Sequence, residues 1–436
     1  MQRSLKARAA GSVMGVAAAV ALALSGCSSN AAQGDIKPIA DPQSVSGTVN
    51  VLTWEGASDP LKAVIPVFEK KYPKLKVKLQ VIGYDDVSTR LTVGLQSGSN
   101  LPDVVAVTGE RVKTVTGNFP DGFVDLRKFG LDKRKTEWAA SKWPALTGAD
   151  GELYGVPWDV GPVALYYRTD LLAEAGVDPS SIKTWEDYMA AGRKLKAQGH
   201  ALLPIEVDTS QAYSILLQQQ GQSYFTAKGK ANLASEASIS AATLLQNAVQ
   251  DGYAKNVNNW DAMLSSLKSG EAATNIMPVW FAGILSSSVP EQAGKWAVME
   301  MPALTAAGPR ASNQGGSNLL IPAKSKNPRG AYLFSMFALG TTESANTMMK
   351  VGNMSSLLAA SDQPAFKEKV PYYGDQQIWS VFAKTIPDIP SVPFTADYDK
   401  ADQVLVDAMN KVLVSGADAK STLRDANAQL SSQIGQ

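Results

Sequence analysis

Cysteine and histidine are nearly absent from this chain: Cys27 and His200 are the single example of each among 436 residues. That excludes Cys/His zinc sites, disulfides and redox CxxC pairs, and a Ser-His-Asp triad would have only His200 to use. Charge of one sign is missing too. The 41 Lys and Arg face 40 Asp and Glu, which leaves no basic excess to hold nucleic acid. After the first 27 residues no segment approaches the roughly 18 apolar residues of a membrane-spanning helix. Gly315-Gly316 lacks the Lys-Ser/Thr of a phosphate-binding loop, and no cofactor is expected. What is present is 45% hydrophobic and 19% charged, an ordinary composition for a globular protein, at a length that calls for two lobes or domains.

The first 26 residues read as a leader. Arg3, Lys6 and Arg8 precede the uncharged apolar run Gly11 to Leu24, which is shorter than the roughly 20 residues needed to span a bilayer. Leu24-Ser25-Gly26-Cys27 resembles the lipobox of bacterial lipoproteins, in which the cysteine is lipidated and becomes the first residue. Cleavage there takes Lys+Arg from 41 to 38 against an unchanged 40 Asp+Glu. Residues 27–46, rich in Ser, Ala, Gln, Pro and Gly, read as the lipidated N-terminus and a flexible tether.

From Gly47 onward the pattern changes. Thr48–Trp54 reads as a strand, followed by a helix capped by Asp59 with Pro60 at its first position. Leu61, Val64, Ile65 and Phe68 line the inner face of that helix. Leu75, Val77, Leu79 and Val81 alternate as a second strand, Val87, Leu91 and Leu95 mark a second helix, and Asp103–Val107 reads as a strand buried on both faces. Strand, helix, strand, helix, strand predicts a helix-covered parallel sheet, which binds ligands beyond the carboxyl ends of its strands. Two of those ends are Trp54-Glu55 and Thr108-Gly109-Glu110.

Phe68-Glu-Lys-Lys-Tyr-Pro73, Leu95-Gln-Ser-Gly98 with Pro102-Asp103, Gly151-Glu-Leu-Tyr-Gly-Val-Pro157 and Leu165-Tyr-Tyr-Arg-Thr-Asp-Leu-Leu172 occur in order. Thr184-Trp-Glu-Asp-Tyr188, Ser269-Gly-Glu-Ala-Ala273, Trp280, Gly315-Gly316 and Ala331-Tyr-Leu-Phe334 follow. Together they resemble the family 1 extracellular solute-binding proteins, the maltose-binding-protein-like receptors of ABC importers, over nearly the whole chain. Arg168 stands where that family often has Asn. The resemblance implies an α/β, two-lobe periplasmic-binding-protein-like fold, each lobe a helix-covered, mostly parallel sheet, joined by a hinge. Lobe 1 would comprise 47–157 plus 302–350 and lobe 2 158–301 plus 351–436, with crossings near Pro157–Pro162, Met301 and Gly352. It also implies a non-enzymatic, monomeric lipoprotein, anchored through Cys27 on the outer face of the cytoplasmic membrane of a bacterium, that hands its ligand to an ABC permease.

A carbohydrate receptor needs aromatic platforms for the apolar face of a sugar and carboxylates or amides for its hydroxyls. The loops supply both. The candidate ligand-binding residues are Trp280, Trp158, Asp159, Glu55, Glu110, Trp54, Tyr224, Trp260 and Gly316. Each has a plainer reading: packing for the tryptophans and Tyr224, solvated loop carboxylates for Glu55 and Glu110, hinge geometry for Trp158-Asp159, and a turn needing positive φ for Gly316. Trp138, Trp143 and Trp185 are expected to pack. Oligosaccharide is the favoured ligand; a polyol or glycerol phosphodiester is the alternative, for which Arg111 or Arg310 would serve an anionic group. Ser180/Lys183 and Ser265/Lys268 match an S-x-x-K pattern, but its S-D-N and K-T-G companions are missing.

Overall fold

The computed structural model describes residues 38–436; the leader, Cys27 and the start of the expected tether lie outside the described residues. The end of that tether packs onto the fold. Val45 is buried, and the Gln43 side-chain amide donates to the Lys71 carbonyl at 3.2 Å.

Strands β1 (Gly47–Trp54), β2 (Leu75–Ile82), β3 (Val104–Thr108), β4 (Gly155–Pro157) and β10 (Ser317–Leu320) form one sheet in the order β2-β1-β3-β10-β4. β1 pairs in parallel with β2 and β3, while β10 runs antiparallel to both of its neighbours. Val104–Val107 lie at the centre with every side chain buried. At the edge, β2 alternates Leu75, Val77 and Leu79 with Lys76, Lys78 and Gln80, a polar row that discourages pairing with another chain. The helix Glu55–Lys71 buries Leu61, Val64 and Phe68, and Phe68 meets Phe334 edge to face at 5.2 Å. This helix differs from the sequence expectation at its start. It continues directly out of β1 at Glu55, so Pro60 sits inside it rather than at its first position, where it forgoes the bond to the carbonyl four residues back.

A second sheet contains β8 (Thr274–Pro278), β5 (Val163–Arg168) and β9 (Trp296–Glu300), with β5 antiparallel to both neighbours. A parallel ribbon of β6 (Leu203–Glu206) and β7 (Ala254–Val257) extends it. Ala273 and Thr274 donate backbone N–H bonds to the carbonyls of Ala201 and Leu202, at 2.9 and 3.0 Å, and join the ribbon in parallel. The order β7-β6-β8-β5-β9 with β5 reversed thus repeats β2-β1-β3-β10-β4 with β10 reversed.

The reversal has a simple cause. The chain leaves the first sheet at the end of β4 and enters the second as β5; it leaves at the end of β9 and returns as β10. Each entering strand starts where its parallel neighbours end, so it must run against them. The crossings therefore gather at the carboxyl ends of both sheets.

Local signals hold where they are strong. Thr184 and Asp187 form the capping box of the helix Trp185–Ala197, and Trp185, buried, donates to Gln219 at 3.0 Å. Asn327 caps the helix Pro328–Leu339. Trp138 and Trp143 are buried, as expected of packing residues. No helix among the described residues is long and apolar enough to cross a membrane.

At the end of β6, burial and the neighbouring Asp208 raise the Glu206 carboxyl to about 7. A carboxyl with a raised native pKa is most stable neutral, so its ionisation costs stability as pH climbs from its unfolded value near 4.3 through 7. Glu206→Gln should leave the melting temperature unchanged near pH 4 and raise it by about 2 °C at pH 8. Equal shifts at both pH values in thermal melts would contradict this.

Candidate functional site

A cavity of about 240 Å³ lies between the two sheets. The first-sheet side contributes Tyr84, from the turn after β2, Glu110 and Arg111, from the helix Gly109–Asn118 after β3, and Lys142. The second-sheet side contributes Ser210, Gln218 and Tyr224, from the segment after β6. Gln314 and Gly315 enter from the segment returning to β10, and Phe394, Tyr398, Asp399 and Asp402 from the loop and first turns of the helix Tyr398–Leu413.

The aromatic wall is pre-formed. Tyr224 and Tyr398 stack with centroids 5.1 Å apart and 19° between planes, and Phe394 leans on Tyr398 at 5.9 Å. Tyr224 donates to Asp402 Oδ1 at 3.1 Å, and Ser210 donates to the same oxygen at 2.5 Å. These two bonds fix the orientation of the Asp402 carboxylate. Burial pushes both tyrosine hydroxyls well above their ordinary range, so they stay protonated donors. Opposite, the Arg111 guanidinium covers the Tyr84 ring at 4.5 Å and bonds to Ser88 at 3.0 Å and Asp85 at 3.3 Å. Burial raises the Glu110 carboxyl as well.

Two of the nine expected ligand residues, Glu110 and Tyr224, line this cavity. The other seven stand elsewhere. Trp158 is 1% exposed in the core and donates to Asn353 at 2.9 Å; as the last residue before the crossing its ring turns inward. Asp159 lies behind the cavity, accepting from Ser317 N at 2.5 Å and from the Asn353 amide at 3.1 Å. Gly316 is a conformational requirement, as its plainer reading held. Its φ is +99°, and a Cβ there would stand 2.7 Å from the Asp159 carbonyl. Trp280 donates to the Gln314 carbonyl at 3.1 Å and sits 6.1 Å from Trp260, so the pair backs the Gln314-Gly315 turn instead of lining the cavity. Trp54 packs edge to face on Tyr84 at 5.3 Å, in a niche beside the cavity. Glu55 is exposed at the start of its helix.

The nine expected residues do not include Tyr84, Lys142, Tyr398, Asp399 or Asp402, all of which line the cavity. Tyr84 follows the end of β2, so the strand-end rule applied to β2 would have found it. Tyr398, Asp399 and Asp402 share a helix with the buried stripe Ala401, Val404, Leu405, Ala408 and Met409, whose hydrophobic pattern hides the polar first turn.

Chain order, sheet topology and an interlobe cavity of this kind accompany a direct family match. Residues 54–345 match the family described as bacterial extracellular solute-binding protein. The chain belongs to that family. As one of its members, it is 30% identical over 403 residues to the lactose-binding protein of Rhizobium radiobacter, covering 89% of this chain and 93% of that one. It is 26% identical to the arabinooligosaccharide-binding protein of Bacillus subtilis, covering 78% and 81% of the two chains. The sugar-binding protein MalE of Xanthomonas citri superposes with a TM-score of 0.76 at 17% identity, over 88% of this chain and 96% of that chain. The solute-binding fold is thus shared where little sequence is.

Gly316→Ala should cost about 1–3 kcal/mol, because it meets both a left-handed backbone and the Asp159 carbonyl. Chemical denaturation measures this, and a loss below about 0.5 kcal/mol would contradict the assignment.

Proposed function

We propose that this solute-binding protein is the carbohydrate receptor of an ABC importer, a lipoprotein held at Cys27 on the outer face of the membrane. The observation that carries the ligand class is the cavity's composition. Four aromatic rings, Tyr84, Tyr224, Phe394 and Tyr398, surround three carboxylates, Glu110, Asp399 and Asp402. Rings cover the apolar face of a sugar, and carboxylates accept hydroxyl hydrogen bonds strengthened by charge. The relatives that bind lactose and arabinooligosaccharides support the same class.

The cations argue against an anionic ligand. Arg310 is committed to the Met301 carbonyl at 2.7 Å and to Glu300, away from the cavity. Arg111 is held by Asp85, Ser88 and Tyr84. Carboxylates outnumber the remaining positive charge, which disfavours a phosphodiester.

Because residues from both sheets line the cavity, ligand stabilises the arrangement in which the two lobes approach. The boundaries we assign are 47–157 with 302–350, and 158–301 with 351–436. The lobes also touch directly. Thr114 donates to the Ala396 carbonyl at 3.3 Å, beside Arg111 and Asp399 at the cavity rim. The closed shape, tethered near the permease, is then recognised at high local concentration.

Thermal melts against neutral mono- and oligosaccharides, polyols and glycerol phosphodiesters test the reading. A saccharide at a hundred times its Kd should add about 2.7 kcal/mol of stability, and Tyr398→Ala should weaken its binding about tenfold or more. A response to phosphodiesters alone would overturn the carbohydrate assignment. Cys27→Ala should release the protein from membranes into the soluble fraction, and continued attachment would refute the anchor.

A further inference from the structure

Lys142 is the one buried cation among the residues lining the cavity, with 7% of its surface exposed. Its ammonium has three N–H donors. One goes to the Asp159 carbonyl at 2.8 Å and one to the Ser317 carbonyl at 3.0 Å. The Asp159 carbonyl belongs to the segment that leaves β4 for the second sheet, and the Ser317 carbonyl to the first residue of β10, where the chain returns. No described residue takes the third N–H in a hydrogen bond; Asp159 and Glu110 act on the ammonium through charge. Gly316 makes the approach possible, since a Cβ there would stand 3.1 Å from Nζ.

A buried ammonium with one unmet donor is costly, and an acceptor that meets it is correspondingly favoured. We propose that Lys142 is a specificity-determining residue of the site: its third N–H donates to an oxygen of the bound saccharide and so ties the ligand to the segment after β4 and to β10. The inference rests on the carbohydrate reading above and goes beyond it in naming the donor. It also gives the site directional selectivity. The carboxylates and Gln218 accept from hydroxyl hydrogens, whereas Lys142 demands an oxygen lone pair, such as a ring or glycosidic oxygen. Saccharides that cannot place an oxygen there should bind about 10- to 100-fold more weakly.

The proposal has a signature that a purely structural lysine would not show. Burial lowers the Lys142 ammonium to about 8. The charged groups facing it are Asp159, from the segment after β4, and Glu110, from the first turn of the helix after β3; Gly316 and Ser317 bring only neutral backbone. Near pH 8.5 part of the free protein therefore holds a neutral lysine. A ligand oxygen that accepts from the ammonium favours the protonated form, so binding must take up protons at that pH. Tyr224 and Tyr398, raised well above 10, do not titrate there.

The test is calorimetric titration of the whole protein with lactose, maltose, β-1,6-galactobiose and arabinotriose at pH 7 and 8.5. Paired buffers of different ionisation enthalpy report the protons exchanged. Expected are net proton uptake at pH 8.5 and, for Lys142→Met, binding weakened about 10- to 100-fold with the uptake lost. Should Lys142→Met fail to fold, seen as a missing thermal transition, Lys142→Gln is titrated in its place, with the wild-type proton count beside it. A folded variant that binds one of these sugars as tightly as the wild type overturns the role of Lys142 and leaves the carbohydrate reading standing. Binding of none of them, with a thermal response to glycerol phosphodiesters alone, removes that reading and this proposal together.

Discussion

The Asp159 carboxylate, on the segment after β4, ties together the start of β10 and the segment after the helix Thr342–Met349. One oxygen accepts from the backbone of Ser317 and the other from Asn353. Around it the backbones are stitched. Val160 N–H donates to Met354, Ser356 N–H donates to Trp158, and Trp158 N–H donates to Ser317. Burial raises the carboxyl above its ordinary range, and Lys142, Ser317 and Asn353 offset only part of that rise. A buried carboxylate without those partners would cost several kcal/mol, so the fold must keep the three segments in register around it.

The symmetry of the sheets follows from the same constraint. Because both crossings occur at the carboxyl ends, each sheet acquires one reversed strand beside its parallel set. That arrangement puts the ends of β2, β3 and β6 on a common gap, where the sheet architecture exposes backbone polar groups and loop side chains. Tyr84, Glu110 and Ser210 reach the cavity because they follow those three ends. The aromatic wall of Tyr224, Tyr398 and Phe394 then comes from chain regions more than 160 residues apart, joined through Asp402.

Much of this was legible in the chain. β1, β2 and β3 appear with the expected strand patterns, and the capping box at Thr184 and the cap at Asn327 form as their local chemistry dictates. Such features depend on residues within a few positions of one another, where side-chain type and spacing suffice. The start of the first helix was misjudged because Asp59-Pro60 is a good local signal that the continuous run from β1 overrides. The candidate site was less legible. Glu110 and Tyr224, singled out from loop position, line the cavity, but the tryptophans attracted attention by residue type alone. Trp158 is core, and Trp260 and Trp280 support a turn, because a large ring satisfies packing as readily as it satisfies a ligand.

By itself the sequence determined the class of the protein: a neutral chain without the residues for zinc or disulfide chemistry, βαβ units, and an ordered set of family motifs. These are statements about composition and short-range pattern, which no folding is needed to read. Only the tertiary structure decided which side chains share the cavity. Lys142 stands 17 residues from Asp159 and 175 from Ser317 along the chain, and Tyr224 stands 178 from Asp402. Nothing in local spacing relates such positions. They meet because the crossings bring the ends of two sheets together, so that a lysine and an aspartate far apart in the chain line one cavity.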